Sequence, residues 1–170
     1  MFLKTVNFKF SDKAFIKSLL SFIGKKSTLR ILDVCCGTGK YSCYFFNYGH
    51  SVTGIDISDA AIKKAKALQP QINWICEDVI TYDYPQDKFD LIFMSGPSFY
   101  NDENIDANLP IMDKINQLIK PNGYFEFVKT TSLTKQGKHT KVGLRGVGAS
   151  VLLVFCILSL TVKKCRNVNF

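Results

Sequence analysis

Three aspartates and a glycine turn could do chemistry in this sequence of 170 residues. The stretch "RILDVCCGTGK" holds Asp33, Gly37 and Gly39, while Asp56 and Asp78 follow in "TGIDIS" and "CEDV". Glycines let a backbone approach a ligand closely, and the amide groups at the start of a following helix favour a phosphate or a carboxylate. Asp33, where the apolar run ends, can meet an ammonium group directly or through water.

The second and third aspartates suit the polar groups of a nucleoside. A carboxylate at Asp56 can accept hydrogen bonds from both hydroxyls of a ribose, and one at Asp78 from an exocyclic adenine amine. The apolar neighbours Ile57 and Val79 can hold a base ring between them. Each acid alone is equally consistent with a turn cap, but their combination with the glycine turn predicts a site for a nucleoside that carries an amino acid.

Other kinds of site fit the sequence less well. A dinucleotide fingerprint needs a third glycine where Ser42 stands, and the G-x-x-x-x-G-K-[ST] pattern of a P-loop is absent from the sequence. The six cysteines form no C-x-x-C pair and only two histidines are present, so no metal site is predicted. The adjacent Cys35 and Cys36 are interpreted as small buried residues, because a disulfide between neighbours is strained.

Alternating strands and helices must position these residues. The predicted strands are "LRILDV", "SVTGID", "INWIC", "FDLIFMS" and a fifth one fed by the turn in "PNGYFEFV". The predicted helices are "SDKAFIKSLLSFI", "KYSCYFFNYG", "SDAAIKKAKAL" and "ANLPIMDKINQLIK", the last of which is predicted to end at Pro121. This alternation indicates an α/β fold with a mostly parallel sheet, which binds ligands beyond the carboxyl ends of its strands.

The motifs, taken in order, resemble those of a known family. "LDVCCGTGK", "VTGIDIS", "CEDV", "FDLIFMSG" and "LIKPNGYFEF" are similar to the motifs of class I S-adenosylmethionine-dependent methyltransferases of the small-molecule type, over roughly residues 28–128. The family pattern D-x-G-x-G-x-G has a glycine where this chain has Cys35. The resemblance implies a three-layer Rossmann-like methyltransferase fold and S-adenosyl-L-methionine as the cofactor.

The resemblance also implies roles for the residues that match its motifs. Asp33, Gly37 and Gly39 would hold the methionine part of the cofactor, Asp56 the ribose and Asp78 the adenine. We therefore assign to the cofactor site Asp33, Cys35, Gly37, Gly39, Asp56, Ile57, Asp78, Val79 and Ser95.

The methyl acceptor should lie over the end of the fourth strand, in "SGPSFYNDENID". Ser95, Gly96, Phe99 and Tyr100 are the residues placed near it. The N-P-P-Y and D-P-P-Y motifs are absent from this stretch, so a small-molecule acceptor is expected and no nucleic acid partner. A sulfonium methyl is already activated for in-line displacement, so the protein mainly aligns a nucleophile and excludes water, and no catalytic residue is assigned.

The charge of the chain changes abruptly after Val128. The first 128 residues hold 14 Lys and Arg and all 14 acids, while the last 42 hold the other eight Lys and Arg and no acid (14 + 8 = 22). We therefore predict a cofactor-binding methyltransferase domain at 1–128 and a basic and apolar tail at 129–170. Members of the family usually continue instead with a helix and an antiparallel strand pair that wall the acceptor pocket.

Three interpretations of the uncharged apolar run 146–162 stay open. It is strand material that closes the sheet, a membrane anchor at the carboxyl end, or a replaced end that arose from a shifted reading frame. Met1–Phe10 has no sustained apolar segment that would indicate a signal peptide, so the cytoplasm is the expected location, with membrane association through 146–162 as the alternative.

The function predicted from the sequence is methyl transfer from S-adenosylmethionine to a small molecule. The alternative is a truncated or non-catalytic nucleoside-binding protein of the same fold whose acceptor pocket never forms. A nicotinamide-dependent oxidoreductase is a third candidate, which Ser42 disfavours because it stands in place of the third glycine. The oligomeric state is not predicted.

Overall fold

The structure is a computed structural model that describes most of the chain. It describes residues 6–8, 12–24, 27–84, 88–98, 106–131 and 140–147, with the backbone alone in 6–8, 129–131 and 140–147. Phe99 and Tyr100, predicted to lie near the acceptor, are outside the described residues, as are residues 148–170.

The five predicted strands and four predicted helices are present in the predicted order, and two further strands, Val6–Phe8 and Thr140–Val147, were not predicted. The strands are β1 (Val6–Phe8), β2 (Arg30–Val34), β3 (Ser51–Asp56), β4 (Asn73–Cys76), β5 (Phe89–Ser95), β6 (Ile119–Thr131) and β7 (Thr140–Val147). The helices are α1 (Asp12–Ile23), α2 (Lys40–Asn47), α3 (Asp59–Leu68) and α4 (Leu109–Leu118), and a short 3-10 turn (Asp106–Asn108) precedes α4. The last helix was predicted to reach Pro121 but ends at Leu118, because the chain becomes extended at Ile119 to pair with Phe89.

The strands form one sheet in the order β1-β7-β6-β5-β2-β3-β4. The five strands from β6 to β4 are parallel, and β7 is antiparallel to both of its neighbours. The chain goes from β2 to β3 on one side and later enters β5 on the other side of β2. The crevice beyond the carboxyl ends of β2 and β5 is therefore the switch point at which such sheets bind ligands.

Helices cover both faces of the sheet, because successive strand residues point to opposite faces. The three-helix core lies under α1, α2 and α3 and includes Phe15, Ile16, Leu19, Phe45, Ile62, Ala65, Ile31, Leu91 and Phe93. The α4 core lies on the other face and includes Ile111, Met112, Ile115, Leu118, Leu32, Ile92, Phe125 and Phe127. The three-layer Rossmann-like architecture predicted from the sequence is confirmed.

Local signals in the sequence explain where the elements begin and end. Ser58 caps α3, since its hydroxyl accepts a hydrogen bond from the Ala61 amide at 3.3 Å. Gly49 lies just beyond α2 with a φ of 85°, a conformation that favours glycine. Asn122, also at positive φ, lies where β6 shifts its register against β5, so the predicted turn in "PNG" appears as an irregularity within one long strand.

Strand β7 comes from the segment predicted to be a tail. It pairs with β6, which itself runs past position 128 to Thr131, and it also pairs with β1. It shares only residues 146 and 147 with the apolar run 146–162, so the three interpretations of that run stay open. Most of the apolar run 146–162 lies outside the described residues. Within the part of the chain that the structure describes, no helix has the length and apolar character needed to cross a membrane.

Candidate cofactor-binding site

The loop between β2 and α2 is tied to the end of the neighbouring strand β3. The Gly37 amide donates to Asp56 Oδ2 at 2.8 Å, and the Ser58 amide donates to Asp56 Oδ1 at 2.9 Å. The Cys36 amide donates to the Ile55 carbonyl at 3.1 Å. Asp56 thus fixes both the glycine loop and the start of α3. Because a carboxylate accepts about four hydrogen bonds, Asp56 retains capacity for two ligand hydroxyls.

The two glycines of the loop differ in what surrounds them. Gly37 has a φ of 54°, and a Cβ added there would meet no atom within 4 Å. Gly39 has a φ of 81°, and its Cβ would lie 2.3 Å from Cη2 of Trp74. A ligand can therefore approach the backbone at Gly37. Gly39 is required by the packing of Trp74, whether or not it also contacts a ligand.

Cys35 stands where the resembled motif has its first glycine, and its backbone is in the left-handed region with a φ of 55°. Burial raises the pKa of its thiol to about 12, so the thiol stays protonated at neutral pH. The negative charges of three carboxylates add to this rise, those of Asp56, Asp33 and Asp78. The charges of all three predicted aspartates thus act on one side chain in the loop after β2.

Asp33 is buried beneath the loop, with 1% of its surface exposed. Its Oδ2 accepts a hydrogen bond from the Ser42 hydroxyl at 2.5 Å. Burial raises the pKa of Asp33 to about 7, although the hydrogen bonds from Ser42 lower it. Ser42, which the sequence identified only as a missing glycine, thus holds the carboxyl group that was predicted to meet an ammonium.

The residues predicted to bind the base differ in how far they are exposed to solvent. Asp78 Oδ1 accepts a hydrogen bond from the Ile80 amide at 2.8 Å. Val79 is only 8% exposed and packs in the α4 core, whereas Ile57 is 74% exposed. Ile80, which sequence reasoning missed, is 43% exposed beside Asp78. The pairing of Ile57 with Val79 around a base stays a prediction, and Ile80 adds an apolar side chain near it.

A polar network links the end of β5 to the first helix. The Tyr41 hydroxyl donates to Asp12 Oδ1 at 3.1 Å. Lys40 forms an ion pair with Asp12. Burial raises the pKa of Tyr41, although the Ser95 side chain at the end of β5 lowers it, and Tyr41 therefore remains a neutral donor. Sequence reasoning placed Ser95 here but missed Tyr41 and Asp12, since nothing in the sequence indicates that α1 begins beside α2.

Gly96, predicted to lie near the acceptor, directly follows β5. It is exposed with a φ of 61°, and its amide donates to the Val128 carbonyl of β6 at 2.8 Å. The turn after β5 is thereby joined to the neighbouring strand, at the same edge of the sheet as the glycine loop.

Comparisons with known proteins agree with this geometry. The family model of a methyltransferase domain matches residues 31–123. An uncharacterized methyltransferase of Synechocystis is 30% identical over 100 residues, which cover 58% of this chain and 46% of that protein. Demethylmenaquinone methyltransferase of Staphylococcus aureus is 24% identical over 128 residues, which cover 72% of this chain and 52% of that protein.

Solved structures show the same fold. The PH0226 protein of Pyrococcus horikoshii superposes with a TM-score of 0.61 at 19% identity, covering 85% of this chain and 80% of that one. An S-adenosylmethionine-dependent methyltransferase of Clostridium acetobutylicum also gives 0.61, at 20% identity, covering 73% of this chain and 52% of that one. The chain spans about half the length of the curated relatives it matches. It belongs to the methyltransferase domain family, of the class I S-adenosylmethionine-dependent type, as its motifs predict.

Proposed function

We propose that the chain transfers a methyl group from S-adenosyl-L-methionine to a small-molecule acceptor. Relatives named for such reactions support this proposal. They include a demethylmenaquinone methyltransferase, a glycine N-methyltransferase and a ubiquinone biosynthesis O-methyltransferase. Structural neighbours include one that contains S-adenosylmethionine and one that contains S-adenosylhomocysteine. The single observation that carries the proposal is the 2.8 Å hydrogen bond between Gly37 and Asp56, which joins the open glycine loop to a carboxylate at the end of the next strand.

The residues at the carboxyl ends of β2, β3 and β4 fit the cofactor. Gly37 leaves space at the backbone where a side chain would stand. Asp56 would accept from the ribose hydroxyls, Asp78 from the base amine, and Asp33 would receive the ammonium group from below the loop. The free amides at the start of α2 would favour an anionic group there, such as the carboxylate of the methionine part.

The cofactor supplies, when bound, a methyl group on a sulfonium that is already activated for in-line displacement. What remains for the chain is to bind, to orient and to exclude water. The Tyr41 hydroxyl, on the first turn of α2, stays protonated at neutral pH and donates a hydrogen bond to Asp12. Its oxygen would accept a hydrogen bond from an acceptor molecule held over β5, where Gly96 leaves the turn without a side chain.

A nucleoside-binding protein without turnover is the second candidate. The connection between β6 and β7 comprises residues 132–139 and is thus eight residues long, and members of the family usually place a helix after the fifth parallel strand. Calorimetry with S-adenosylmethionine and S-adenosylhomocysteine tests the cofactor site, and turnover against a metabolite extract tests the acceptor site. Binding without turnover would favour the second candidate. Binding of NADH instead would favour an oxidoreductase.

Substitution of Asp56 tests the cofactor site directly. We expect Asp56→Asn to weaken the binding of S-adenosylhomocysteine by about 10- to 100-fold, because hydrogen bonds to a charged acceptor contribute about 1.5–3 kcal/mol. Asparagine keeps one oxygen that can still accept from the loop. The measurement is titration calorimetry at low salt.

The matched control is Asp59→Asn, three residues further along. This substitution removes the same charge as Asp56→Asn, but Asp59 lies at the surface in an ion pair with Lys63. Affinity in this control should stay within about twofold of the parent protein, since exposed ion pairs contribute little. Equal affinities in the two variants would overturn the assignment of Asp56 to the ribose.

A further inference from the structure

Tyr84 has a buried hydroxyl group whose hydrogen bonding is unexplained. The residue is 8% exposed, and no described residue offers its hydroxyl oxygen a hydrogen bond. Buried tyrosine hydroxyls normally have a partner, because an unsatisfied polar group in an apolar environment is unfavourable. A group of this kind in a native fold indicates that a ligand or an ordered water completes it.

Aromatic packing fixes the position of the Tyr84 ring. The ring of Tyr82 meets it edge to face with the centroids 4.7 Å apart, and that of Phe89 does the same at 6.3 Å. The ammonium group of Lys114, on α4, lies 5.3 Å from the ring centroid. Because the ring is held on several sides within the α4 core, the hydroxyl cannot turn far to find another partner.

Tyr84 packs in the same cluster as Val79, which follows Asp78, and Cys35 of the glycine loop packs against that cluster. Burial raises the pKa of Tyr84, and negative charge on Tyr82, Cys35 and Asp78 would raise it further. Cys35 is in the glycine loop after β2, and Asp78 follows β4. The Tyr84 side chain therefore lies beneath the residues assigned to the base, and its hydroxyl is a neutral donor at neutral pH.

We propose that Tyr84 is a further cofactor-binding residue, whose buried hydroxyl donates a hydrogen bond to the nucleoside half of the bound ligand. This inference rests on the proposed function. Adenine presents a donor, its exocyclic amine, next to acceptor nitrogens of its ring. The Asp78 carboxylate can accept only from the amine, whereas a hydroxyl can donate to a ring nitrogen. Together the two residues would select adenine over hypoxanthine, whose carbonyl oxygen would meet the carboxylate.

The test is Tyr84→Phe, which removes one oxygen and keeps the ring. We expect the dissociation constant for S-adenosylhomocysteine to rise about fivefold to tenfold, as for the loss of one hydrogen bond. The unfolding midpoint of the unliganded protein should stay equal or rise by about 2–4 °C, because an unsatisfied buried group is removed. An unchanged affinity, or a midpoint that falls, would overturn the proposal, since the latter shows that the hydroxyl has a partner within the protein.

Two further measurements locate the contact. Tyr82→Phe makes the same chemical change on the adjacent ring, which is only half-buried, and should leave affinity within about twofold of the parent. The ligand 5′-methylthioadenosine lacks the amino-acid half, and Tyr84→Phe should weaken its binding by the same factor. Loss of the effect with this ligand would overturn the assignment to the nucleoside.

The parent protein separates this inference from the proposed function. If it binds S-adenosylhomocysteine and Tyr84→Phe binds equally well, only the role of Tyr84 is wrong. If the parent binds neither adenosine ligand, the proposed function and the inference are both overturned.

Discussion

Cys35 is under backbone strain at the centre of the candidate site. Its φ of 55° lies in the left-handed region, which costs a residue with a Cβ about 1 kcal/mol relative to glycine. The family motif has glycine at this position, and the backbone of this chain keeps the conformation that glycine would favour. The cysteine therefore preserves the loop geometry while its thiol packs against the α4 core.

A pair of substitutions at Cys35 should reverse the usual order of stability. At an ordinary position glycine is less stable than alanine by about 0.5–1 kcal/mol. We expect Cys35→Gly to be more stable than Cys35→Ala by about 1 kcal/mol, because only glycine relieves the strain. The free energies of unfolding are measured by urea denaturation.

Cys36 provides the control for this reversal. It is buried, and its φ is not among the positive values found in the described residues. Cys36→Gly should therefore be less stable than Cys36→Ala, in the usual order. The same order at both positions would show that Cys35 carries no strain.

The role of a single residue could be predicted from the sequence only where it follows from the place of that residue at the end of a predicted strand. The aspartates at three strand ends were found because parallel strands end at one edge of the sheet. The burial of Asp33 and its hydrogen bond from Ser42 could not be found, since they depend on how deeply the helix start packs on the strand. The orphaned hydroxyl of Tyr84 could not be found either, because the sequence does not indicate which side chains meet beneath the loop.

Among the elements, Trp74 of β4 determines how closely β3 and α2 approach one another. A Cβ on Gly39 or on Gly54 would come within 2.3 Å and 2.5 Å of its indole ring. The indole Nε1 is itself fixed by a 2.8 Å hydrogen bond to the Gln69 carbonyl at the end of α3. One aromatic side chain therefore sets the spacing of the strand, the loop and the helix that frame the site.

Alanine at Gly39 should be much more destabilising than alanine at Gly49. Both glycines have nearly the same φ, 81° and 85°, but a Cβ at Gly49 meets no atom within 4 Å. We expect Gly49→Ala to cost about 1 kcal/mol through backbone strain alone, and Gly39→Ala about 2–4 kcal/mol through strain and overpacking against Trp74. Urea denaturation of the two variants measures both values.

The difference between the two alanine variants isolates the contact with Trp74. Equal losses would contradict the role of Trp74 as a spacer. A double variant with Trp74→Leu supplies an independent check, because the two substitutions should then be less costly together than the sum of their separate effects.

Elements with strong periodicity were predictable, and those that depend on distant partners were not. The five central strands and the four helices follow from their apolar spacing, caps and glycines. Strand β1 is only three residues long and exists through its pairing with β7, more than 130 positions away in the chain. The register shift in β6 likewise depends on its partner β5.

For the whole molecule, the buried Asp33 and the partly buried His50 give opposite dependences of stability on pH. The pKa of Asp33 is raised from 3.8 to about 7, so the folded state holds a proton that the unfolded state releases. Its contribution to stability is full below pH 3.8 and is lost as the pH rises to about 7. The pKa of His50 is lowered by burial, so its contribution is present above pH 6.5 and is lost as the pH falls.

Asp33→Asn should separate these two effects. Asparagine cannot ionise and still offers an oxygen to the Ser42 hydroxyl. His50 is present in both the parent and the variant, so its contribution cancels in the difference between their free energies of unfolding. We expect the variant to be more stable than the parent at pH 8 by about 2–4 kcal/mol, and the difference to shrink between pH 7 and pH 4. Urea denaturation across this range measures it, and a difference independent of pH would show that Asp33 ionises normally in the fold.

The two adjacent cysteines of the loop belong to different layers of the molecule. Cys36 is buried in the three-helix core, and Cys35 packs against the α4 core on the opposite face of the sheet. Any shear of one layer against the other must then displace the loop between them. Cofactor affinity would consequently respond to pressure, or to a substitution at a remote position in either layer, through mechanical coupling without any direct contact.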